Sequence, residues 1–322
     1  MKGLTDIAGI RVGHASDYEA LTGCTVILCD GGAVGGVDIR GSATGTEELD
    51  ALSPGHVAGK VHAVVLAGGS AFGLEAASGV RRYLERQGIG FPTGTARVPI
   101  AVGAILYDLG IGKPNVRPTR EMGEVAAAAA TSDAVKEGNV GAGTGATVGK
   151  LLGMRQAMKG GIGSATVWLD GEEAGVRVAS LVAVNAFGDI RDPETGRLIA
   201  GARRSPGSLE LAGSEALMKR GARGGFSREN STLVVVATNA RLNKVEATKL
   251  AQQAQLGLAR TIYPVSTMSD GDLVVALSLG GMRADVDALG VAAAEAVALG
   301  VIRGVRAAES LGGLPGLASR QP

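Results

Sequence analysis

Short apolar runs of strand length alternate along this chain with alanine-rich segments whose apolar residues recur at helical spacing. Apolar runs of about four to eight residues fit buried strands, and longer periodic segments fit one face of a helix. The alternation therefore restricts the chain to the α/β or α+β class. The predicted strands are Cys24–Cys29, Ala63–Leu66, Ala165–Leu169, Val178–Val184, Leu233–Ala237 and Leu273–Leu277. The predicted helices are Gly73–Gln87, Glu121–Lys136, Lys244–Leu258 and Ala284–Val301.

The chain is rich in small side chains: 52 of its 322 residues are glycine, and only 3% are aromatic. We therefore expect helices and strands to pack closely through small residues. The 45% of apolar and 20% of charged residues are typical of a soluble globular protein. The length allows one large core or two smaller ones.

The charges are nearly balanced, with 32 basic against 31 acidic side chains and a net charge of +1. Proteins that bind nucleic acid or a membrane surface usually carry a basic excess or patch. We therefore expect neither a nucleic acid nor a membrane as a partner.

The cysteine usage and the amino-terminal sequence indicate a compartment. Cys24 and Cys29 flank one apolar run, and two cysteines in a chain of this length do not make a disulfide framework. They are expected to be buried thiols in a reducing cytosol. The first residues lack the apolar core of a signal peptide, and no apolar stretch reaches about 18 residues. These features predict a cytoplasmic protein.

Several familiar motifs fail on inspection. Segment 141–146 resembles a dinucleotide fingerprint without its strand–turn–helix context, and segment 145–150 resembles a phosphate loop but is followed by Leu151 instead of Ser or Thr. Ser70 lies in a near-match to a nucleophile elbow, where Phe72 replaces the second glycine. The three histidines show no metal-ligand spacing. We therefore expect no nucleotide, no metal and no organic cofactor.

One junction carries a chemical signal. A polar segment rich in glycine and arginine ends at Asn230, and an apolar strand begins with Ser231. A chain that cleaves itself there would expose a serine whose freed α-amine, with a pKa near 7.7–8.0, can accept the hydroxyl proton. The same residues could instead form a plain turn before a strand.

The junction and five other motifs resemble the DmpA-type L-aminopeptidase/D-esterase family, which includes the nylon-oligomer hydrolases. The motifs occur in one order over nearly the whole chain. They are LTDIAGIRVGH at 4–14, VDIRG at 37–41, LAGGSAFGL at 66–74, GAGTGA at 141–146, NSTLVVVATNA at 230–240 and SDGD at 269–272.

The resemblance implies a four-layer αββα sandwich of the type shared with ornithine acetyltransferases, forming a single domain over residues 1–322. It implies cleavage between Asn230 and Ser231 into subunits 1–230 and 231–322, and a homo-oligomer such as a tetramer of processed heterodimers. The polar stretch Gly201–Asn230, with its Arg, Gly and Ser residues, itself indicates a mobile surface connection, and we expect it to end the first subunit and not to link two independent domains. Neither product is expected to fold alone, because strand Leu233–Ala237 should lie in the middle of the shared core.

The resemblance also implies roles for Ser231 and for the two aspartates Asp270 and Asp272. Ser231 matches the family's nucleophile, which attacks the carbonyl of Asn230 during maturation and substrate carbonyls afterwards. Asp270 and Asp272 match two hydrogen-bonding residues, one orienting the nucleophile's hydroxyl or amine and the other holding the first in place. Some relatives have Ser-Gly-Glu here, so Asp272 matches the acidic position in both branches. From the residues alone, two carboxylates around a glycine also fit a hairpin turn.

Three further residues complete the implied site. Asn185 matches a side-chain amide that donates to the oxyanion, and such a donor typically contributes about 3–4 kcal/mol. Tyr107 matches an active-site tyrosine that positions substrate or shares the oxyanion role, although a core tyrosine fits the residues equally well. Lys150 matches a lysine that would lower the pKa of the Ser231 amine. An exposed lysine at a helix start is the alternative.

The predicted function is a self-processing aminopeptidase or amidase that acts on small molecules or short peptides carrying N-terminal aminoacyl amides or esters. An acyltransferase of the ornithine acetyltransferase type, which passes the acyl group to an amine instead of water, is one alternative. An uncleaved, non-catalytic binding protein is the other.

Overall fold

The computed structural model describes residues 2–223 and 230–320, which contain sixteen strands and five α-helices. The strands are β1 (Ile10–Asp17), β2 (Thr22–Ile39), β3 (Gly45–Glu47), β4 (Val61–Ala67), β5 (Phe91–Pro92), β6 (Arg97–Val98), β7 (Ala101–Ile105), β8 (Thr147–Val148), β9 (Met158–Lys159), β10 (Ile162–Trp168), β11 (Arg177–Asn185), β12 (Asp189–Arg191), β13 (Leu198–Ala200), β14 (Ser231–Ala240), β15 (Ile262–Tyr263) and β16 (Leu273–Met282). The helices are α1 (Glu75–Arg86), α2 (Arg120–Ala128), α3 (Ser214–Lys219), α4 (Lys244–Thr261) and α5 (Val286–Arg306).

Two sheets are joined by one long strand, β2. Residues 22–29 of β2 pair with β1, and residues 24–28 pair on the other side with β4, which continues through β7 to β3. Residues 34–39 pair with β16, which continues through β14 and β11 to β10. Between these two parts Gly31 and Gly32 both have a φ of 75°, a left-handed conformation that glycine adopts without steric penalty. The strand therefore changes sheets at this glycine pair.

Three apolar clusters arrange the elements into four layers. The first cluster lies between the two sheets, with side chains of β2, β4 and β7 facing those of β11, β14 and β16. The second lies between the β16–β14–β11 sheet and helices α4 and α5. The third lies between the β2–β4–β7 sheet and helices α1 and α2. The order helix, sheet, sheet, helix confirms the predicted αββα sandwich.

Strand β14 lies in the interior of its sheet, between β11 and β16. Alternate side chains point to opposite faces of a strand. Leu233 and Val235 therefore enter the core between the sheets, while Val234 and Val236 pack on the helices. All four are fully buried, so the strand that begins at Ser231 is part of both cores on its two faces.

Glycine allows helix α5 to lie directly on β10. A Cβ placed on Gly163 would lie 2.0 Å from the carbonyl oxygen of Gly300 and 2.3 Å from the nitrogen of Gly304. This contact confirms that elements pack closely through small residues. Among the described helices, α5 is long and apolar enough to cross a membrane, but 72% of its apolar window is buried inside the protein, as in a core helix.

The prediction of a helix over Glu121–Lys136 is wrong at its carboxyl end, because α2 ends at Ala128. Beyond the helix, the nitrogen of Thr131 donates to the carbonyl oxygen of Val12, and the nitrogen of Val12 donates to that of Thr131. The main chain at Thr131 therefore pairs with β1 in an antiparallel bridge and does not continue the helix. Asp133 and Lys136 therefore lie in an exposed loop and not on a helix.

The predicted surface connection over Gly201–Asn230 lies largely at the surface, since most of residues 204–223 are exposed, but its first part is held at two buried points. Arg203 is only 3% exposed, and its guanidinium donates to several main-chain carbonyls. Helix α3 begins at Ser214, whose nitrogen and hydroxyl both donate to the buried carboxylate of Asp189. Residues 224–229 lie outside the described residues.

Both cysteines are buried free thiols, as predicted. Burial raises the pKa of the Cys24 and Cys29 thiols to about 12. Since the thiolate is the reactive form, these side chains act as core residues.

Candidate active site

The strand register brings the predicted nucleophile between two other predicted site residues. Ser231 is the antiparallel partner of Asn185, the last residue of β11. On the other side, the parallel pairing of β14 with β16 extends backwards to a bridge between Asn230 and Asp270. The junction therefore lies at the end of the sheet where β14 pairs with β11 and β16, and Gly271 is next to it.

The Ser231 hydroxyl is directed at the peptide bond that precedes it. Its Oγ donates to the carbonyl oxygen of Asn230 over 2.7 Å, and the main-chain nitrogen of Gly271 donates to the same oxygen over 2.6 Å. Ser231 is 2% exposed and Asn230 is 1% exposed. The carbonyl is thus polarised by two donors in a site that excludes bulk water.

Gly271 is close enough to the nucleophile that a side chain would not fit. A Cβ at this position would lie 2.5 Å from Ser231 Oγ and 2.8 Å from the carbonyl oxygen of Ala43. The glycine between the two aspartates therefore allows the main chain of this loop to reach the Asn230 carbonyl.

Asp272 stabilises the start of the nucleophile strand. It is 1% exposed; its Oδ1 accepts from the nitrogen of Thr232 over 2.6 Å, and its Oδ2 accepts from the nitrogen of Ser266 over 2.9 Å. The carboxylate thereby connects β14 to the loop that precedes β16.

Asp270 holds the same loop from the other side. Its Oδ2 accepts from the nitrogen and the hydroxyl of Thr267 over 3.0 and 2.6 Å, and its Oδ1 accepts from the nitrogen of Phe187 over 3.3 Å. Within residues 2–223 and 230–320, neither aspartate is hydrogen-bonded to Ser231 Oγ. The predicted contact between a carboxylate and the hydroxyl is therefore absent from this uncleaved arrangement, and both aspartates bind main-chain N–H groups instead.

Burial raises the pKa of both carboxyls. For Asp272, desolvation is the largest cause, the nearby Asp270 adds to it, and the pKa reaches about 7. For Asp270, burial also raises the pKa, while its hydrogen bonds and the charge of Lys150 oppose the rise. The pair therefore carries less negative charge near neutral pH than two exposed carboxylates would.

Lys150 is buried beside Asn185. It is 3% exposed and lies outside any helix, so the alternative of an exposed lysine at a helix start is wrong. Its Nζ donates to the Asn185 carbonyl oxygen over 3.0 Å and to Asn185 Oδ1 over 2.8 Å. Oδ1 also accepts from the nitrogen of Thr147 over 3.0 Å. These donors fix the orientation of the amide, so that its NH₂ points away from Lys150.

Tyr107 meets the site through its main chain. The Nδ2 of Asn185 donates to the Tyr107 carbonyl oxygen over 3.2 Å, and the Tyr107 side chain is half-buried. In the described part of the chain, Asn185 Nδ2 does not reach the Asn230 carbonyl oxygen, so the predicted oxyanion contact is not made in this state. The nitrogen of Gly271 donates to that carbonyl oxygen instead.

Two further buried ionisable residues, Asp108 and Lys159, influence each other electrostatically, and sequence reasoning missed them. Asp108 accepts from the Thr22 hydroxyl and the Gly69 nitrogen. Lys159, fully buried, donates to the carbonyl oxygens of residues 144 and 146. Burial lowers the pKa of Lys159 to about 7, and the charge of Asp108 opposes that change. No motif in the sequence marks Lys159, which stands between Met158 and a pair of glycines.

The described residues contain no group of three or more His, Cys, Asp and Glu side chains placed to hold a metal ion. The chemistry available at the junction is that of the serine hydroxyl, the buried aspartates, the lysine and the main-chain donors.

Comparison with known proteins shows that the chain is a hydrolase that acts on peptide or amide bonds. It belongs to Peptidase family S58, whose model matches residues 2–318. An uncharacterized aminopeptidase of Mycobacterium tuberculosis is 40% identical, covering 98% of this chain and 96% of the relative. A 6-aminohexanoate-oligomer endohydrolase of Kocuria sp. is 33% identical, covering 85% of this chain and 74% of the relative.

The fold is similar to that of a solved peptidase. The L-aminopeptidase D-Ala-esterase/amidase of Ochrobactrum anthropi, described as a variant of the Ntn-hydrolase fold, superposes with a TM-score of 0.73 at 21% identity, covering 98% of this chain and 88% of that one. The family and its relatives confirm the predicted resemblance and an aminopeptidase or amidase activity. They argue against the alternative of a non-catalytic binding protein.

Proposed function

We propose that this chain cleaves itself between Asn230 and Ser231, and that Ser231 then hydrolyses N-terminal aminoacyl amides and esters as an amino-terminal nucleophile. The observation that carries the proposal is the Ser231 hydroxyl, 2.7 Å from the carbonyl oxygen of the preceding residue, with that oxygen also bound by the Gly271 nitrogen. Packing of the strand alone does not require the Ser231 hydroxyl and the Gly271 N–H to meet at the same carbonyl oxygen.

Self-cleavage proceeds in two steps, a shift of the acyl group from nitrogen to oxygen and hydrolysis of the resulting ester. Ser231 Oγ forms a bond to the carbonyl carbon of Asn230, and the carbonyl electrons move to the oxygen that the Gly271 N–H binds. The C–N bond then breaks, and the nitrogen of Ser231 leaves as an amine carrying the proton from Oγ. Water hydrolyses the resulting ester, which leaves a carboxyl group on Asn230 and restores the Ser231 hydroxyl.

The freed amine supplies the base for later turnovers. An α-amine titrates near pH 7.7–8.0, so a large fraction is neutral at physiological pH and can accept the Oγ proton. The ammonium of Lys150 favours the neutral amine, and the charge on the two aspartates favours the protonated one. Burial raises the pKa of Asp272 to about 7, so near neutral pH this carboxyl favours the protonated amine less than an exposed carboxylate would.

Intact-mass spectrometry tests the proposal directly. We expect purified wild-type protein to convert from one chain to two, comprising residues 1–230 and 231–322, whereas Ser231→Ala remains one chain and inactive toward alanyl p-nitroanilide. Ser231→Thr retains the hydroxyl and should cleave more slowly. Ser53→Ala, which removes an exposed hydroxyl, is the matched control and should behave as wild type.

An active wild-type chain of unchanged mass would exclude the proposal. The predicted alternative of acyl transfer is separated by adding a second amine to an aminoacyl ester substrate and measuring the ratio of transfer to hydrolysis. The single-domain organisation, the homo-oligomer and the cytoplasmic location stay predictions.

A further inference from the structure

In the uncleaved chain, Asn230 lies at the amino-terminal end of the parallel ladder between β14 and β16. Its nitrogen donates to the carbonyl oxygen of Ser269 over 3.3 Å, and its carbonyl oxygen accepts from the nitrogen of Gly271 over 2.6 Å. Its side-chain Nδ2 also donates to the Ser269 oxygen, over 3.2 Å. One residue therefore occupies a main-chain acceptor and a main-chain donor that are two positions apart on the loop before β16.

Cleavage places the two sides of this ladder in different products. Ser269 and Gly271 belong to the second product together with Ser231, whereas Asn230 becomes the carboxyl end of the first. When Asn230 leaves, the carbonyl oxygen of the half-buried Ser269 and the N–H of the buried Gly271 lose their partner, which is unfavourable until another group binds them. The Gly271 N–H faces the place where the carbonyl oxygen of Asn230 stood, and the Ser269 oxygen faces the place of its nitrogen.

We propose that the acyl residue of the substrate takes the place of Asn230 in this ladder, an inference that rests on the proposed function. The substrate carbonyl oxygen accepts from the Gly271 N–H, which becomes the oxyanion donor, and the substrate's α-nitrogen donates to the Ser269 oxygen. Ser231 Oγ then stands toward the substrate carbonyl as it stands toward Asn230 before cleavage. As negative charge develops on that oxygen, the main-chain donor binds it more strongly, and this difference lowers the barrier.

The spacing of the two groups selects a chemical class. In the ladder, the donor and acceptor of Asn230 are separated by a single Cα, the arrangement of an α-aminoacyl group. An α-ammonium can donate to the Ser269 oxygen as a charge-assisted bond. A 6-aminohexanoyl group separates its nitrogen from the carbonyl by five carbons, so it can meet both groups only by folding its chain back, which costs conformational entropy. The site should therefore prefer α-aminoacyl substrates over linear ω-amino acids.

A panel of p-nitroanilides measured on processed wild-type enzyme tests the α-nitrogen contact. Alanyl and propionyl p-nitroanilide differ only in the α-amine, and 6-aminohexanoyl p-nitroanilide carries its amine at the far end. We expect kcat/KM to be at least about 100-fold higher for the alanyl substrate than for either of the others. Equal or higher kcat/KM for the propionyl or 6-aminohexanoyl substrate would overturn the inference.

Replacement of Gly271 by glycolic acid through nonsense suppression tests the oxyanion donor. The exchange turns one main-chain N–H into an ester oxygen and adds no side chain beside Ser231. We expect self-cleavage and the kcat for alanyl p-nitroanilide each to fall by about 10²–10³-fold. The same exchange at Gly55, an exposed loop glycine with open space around it, is the control and should leave both rates unchanged.

The two sets of measurements separate the possible failures. Wild-type protein that never yields two chains refutes the proposed function itself. Protein that is cleaved and active, yet insensitive to the Gly271 exchange, refutes only the ladder assignment and returns the oxyanion role to a side-chain donor such as Asn185. The substrate panel needs no variant, so a glycolate protein that fails to fold does not remove the test.

Discussion

Asp272 is a fully buried carboxyl whose two oxygens each accept from a main-chain N–H. Burial and the neighbouring Asp270 raise its pKa from an ordinary 3.8 to about 7. The folded state then binds a proton more tightly than the unfolded state does. The stability that this group contributes is therefore full below about pH 4 and is lost as the pH rises through 7.

The prediction is that Asp272→Asn flattens the pH dependence of stability. In a Ser231→Ala background, which we expect to remain one chain, the free energy of unfolding in urea should fall between pH 4.5 and 7.5. That fall should shrink by an amount on the order of a few kcal/mol when Asp272 is replaced. Asp50→Asn, at an exposed position, is the control. An unchanged slope in Asp272→Asn would show that this carboxyl does not titrate in the range.

The side chains of the candidate site could largely be predicted from the sequence, whereas its main-chain groups could not. Ser231, Asn185 and Asp270 could be named from their motifs, and the strand register brings them together. The donors and acceptors that hold Asn230 are the nitrogen of Gly271 and the carbonyl oxygen of Ser269. Every residue except proline carries both kinds of group, so no residue type marks them. Only the register of two strands shows which ones meet the reacting carbonyl.

Among the elements, the short β8–β9 hairpin connects a buried lysine to the site. Thr147 of β8 pairs with Lys159 of β9, and the Thr147 nitrogen donates to Asn185 Oδ1. Lys159 Nζ also binds the carbonyl oxygens of Thr144 and Ala146. The lysine thus orders the residues immediately before the donor that orients Asn185.

Lys159→Met should destabilise the protein by about 2–4 kcal/mol, since two buried carbonyl groups lose their donor. The pH dependence gives a second readout. Burial lowers the pKa of Lys159 to about 7, so the folded state binds its proton less tightly and stability rises between about pH 7 and 10. That rise should be absent in Lys159→Met and retained in Lys249→Met, an exposed position on α4. Urea unfolding at pH 7 and 9.5 measures both effects.

The elements that sequence patterns predicted well are those with a regular apolar period. The strands around residues 178–184, 233–237 and 273–277 and the helices α1, α4 and α5 are present, with ends shifted by a few residues. The second half of β2 was missed because the pair Gly31 and Gly32 is typical of a turn that ends a strand. In the structure their left-handed backbone instead carries the strand into the other sheet. Such a continuation depends on the sheet that receives it, and no local pattern contains that information.

At the scale of the whole molecule, the proposed cleavage divides a shared core. Residues 231–322 contribute β14, α4, β16 and α5, while β11 and the second half of β2 flank that strand pair from the other product. The apolar cluster between the sheets and the cluster under α4 and α5 both contain side chains from each product. Separation would expose two strand edges and the apolar face that the other sheet covers.

We therefore predict that the two products remain associated after cleavage and that neither folds alone. Processed protein should elute as one species in native size exclusion, while the same sample separates into two chains in denaturant. Residues 231–322 expressed alone should lack a cooperative urea transition, because two parallel strands and two helices leave most of the apolar surface between the sheets in water. Ser231→Ala, uncleaved, provides the reference elution volume. A cooperative transition in the isolated 231–322 chain would show that the core is divisible, and the cut would then fall between two independent folding units.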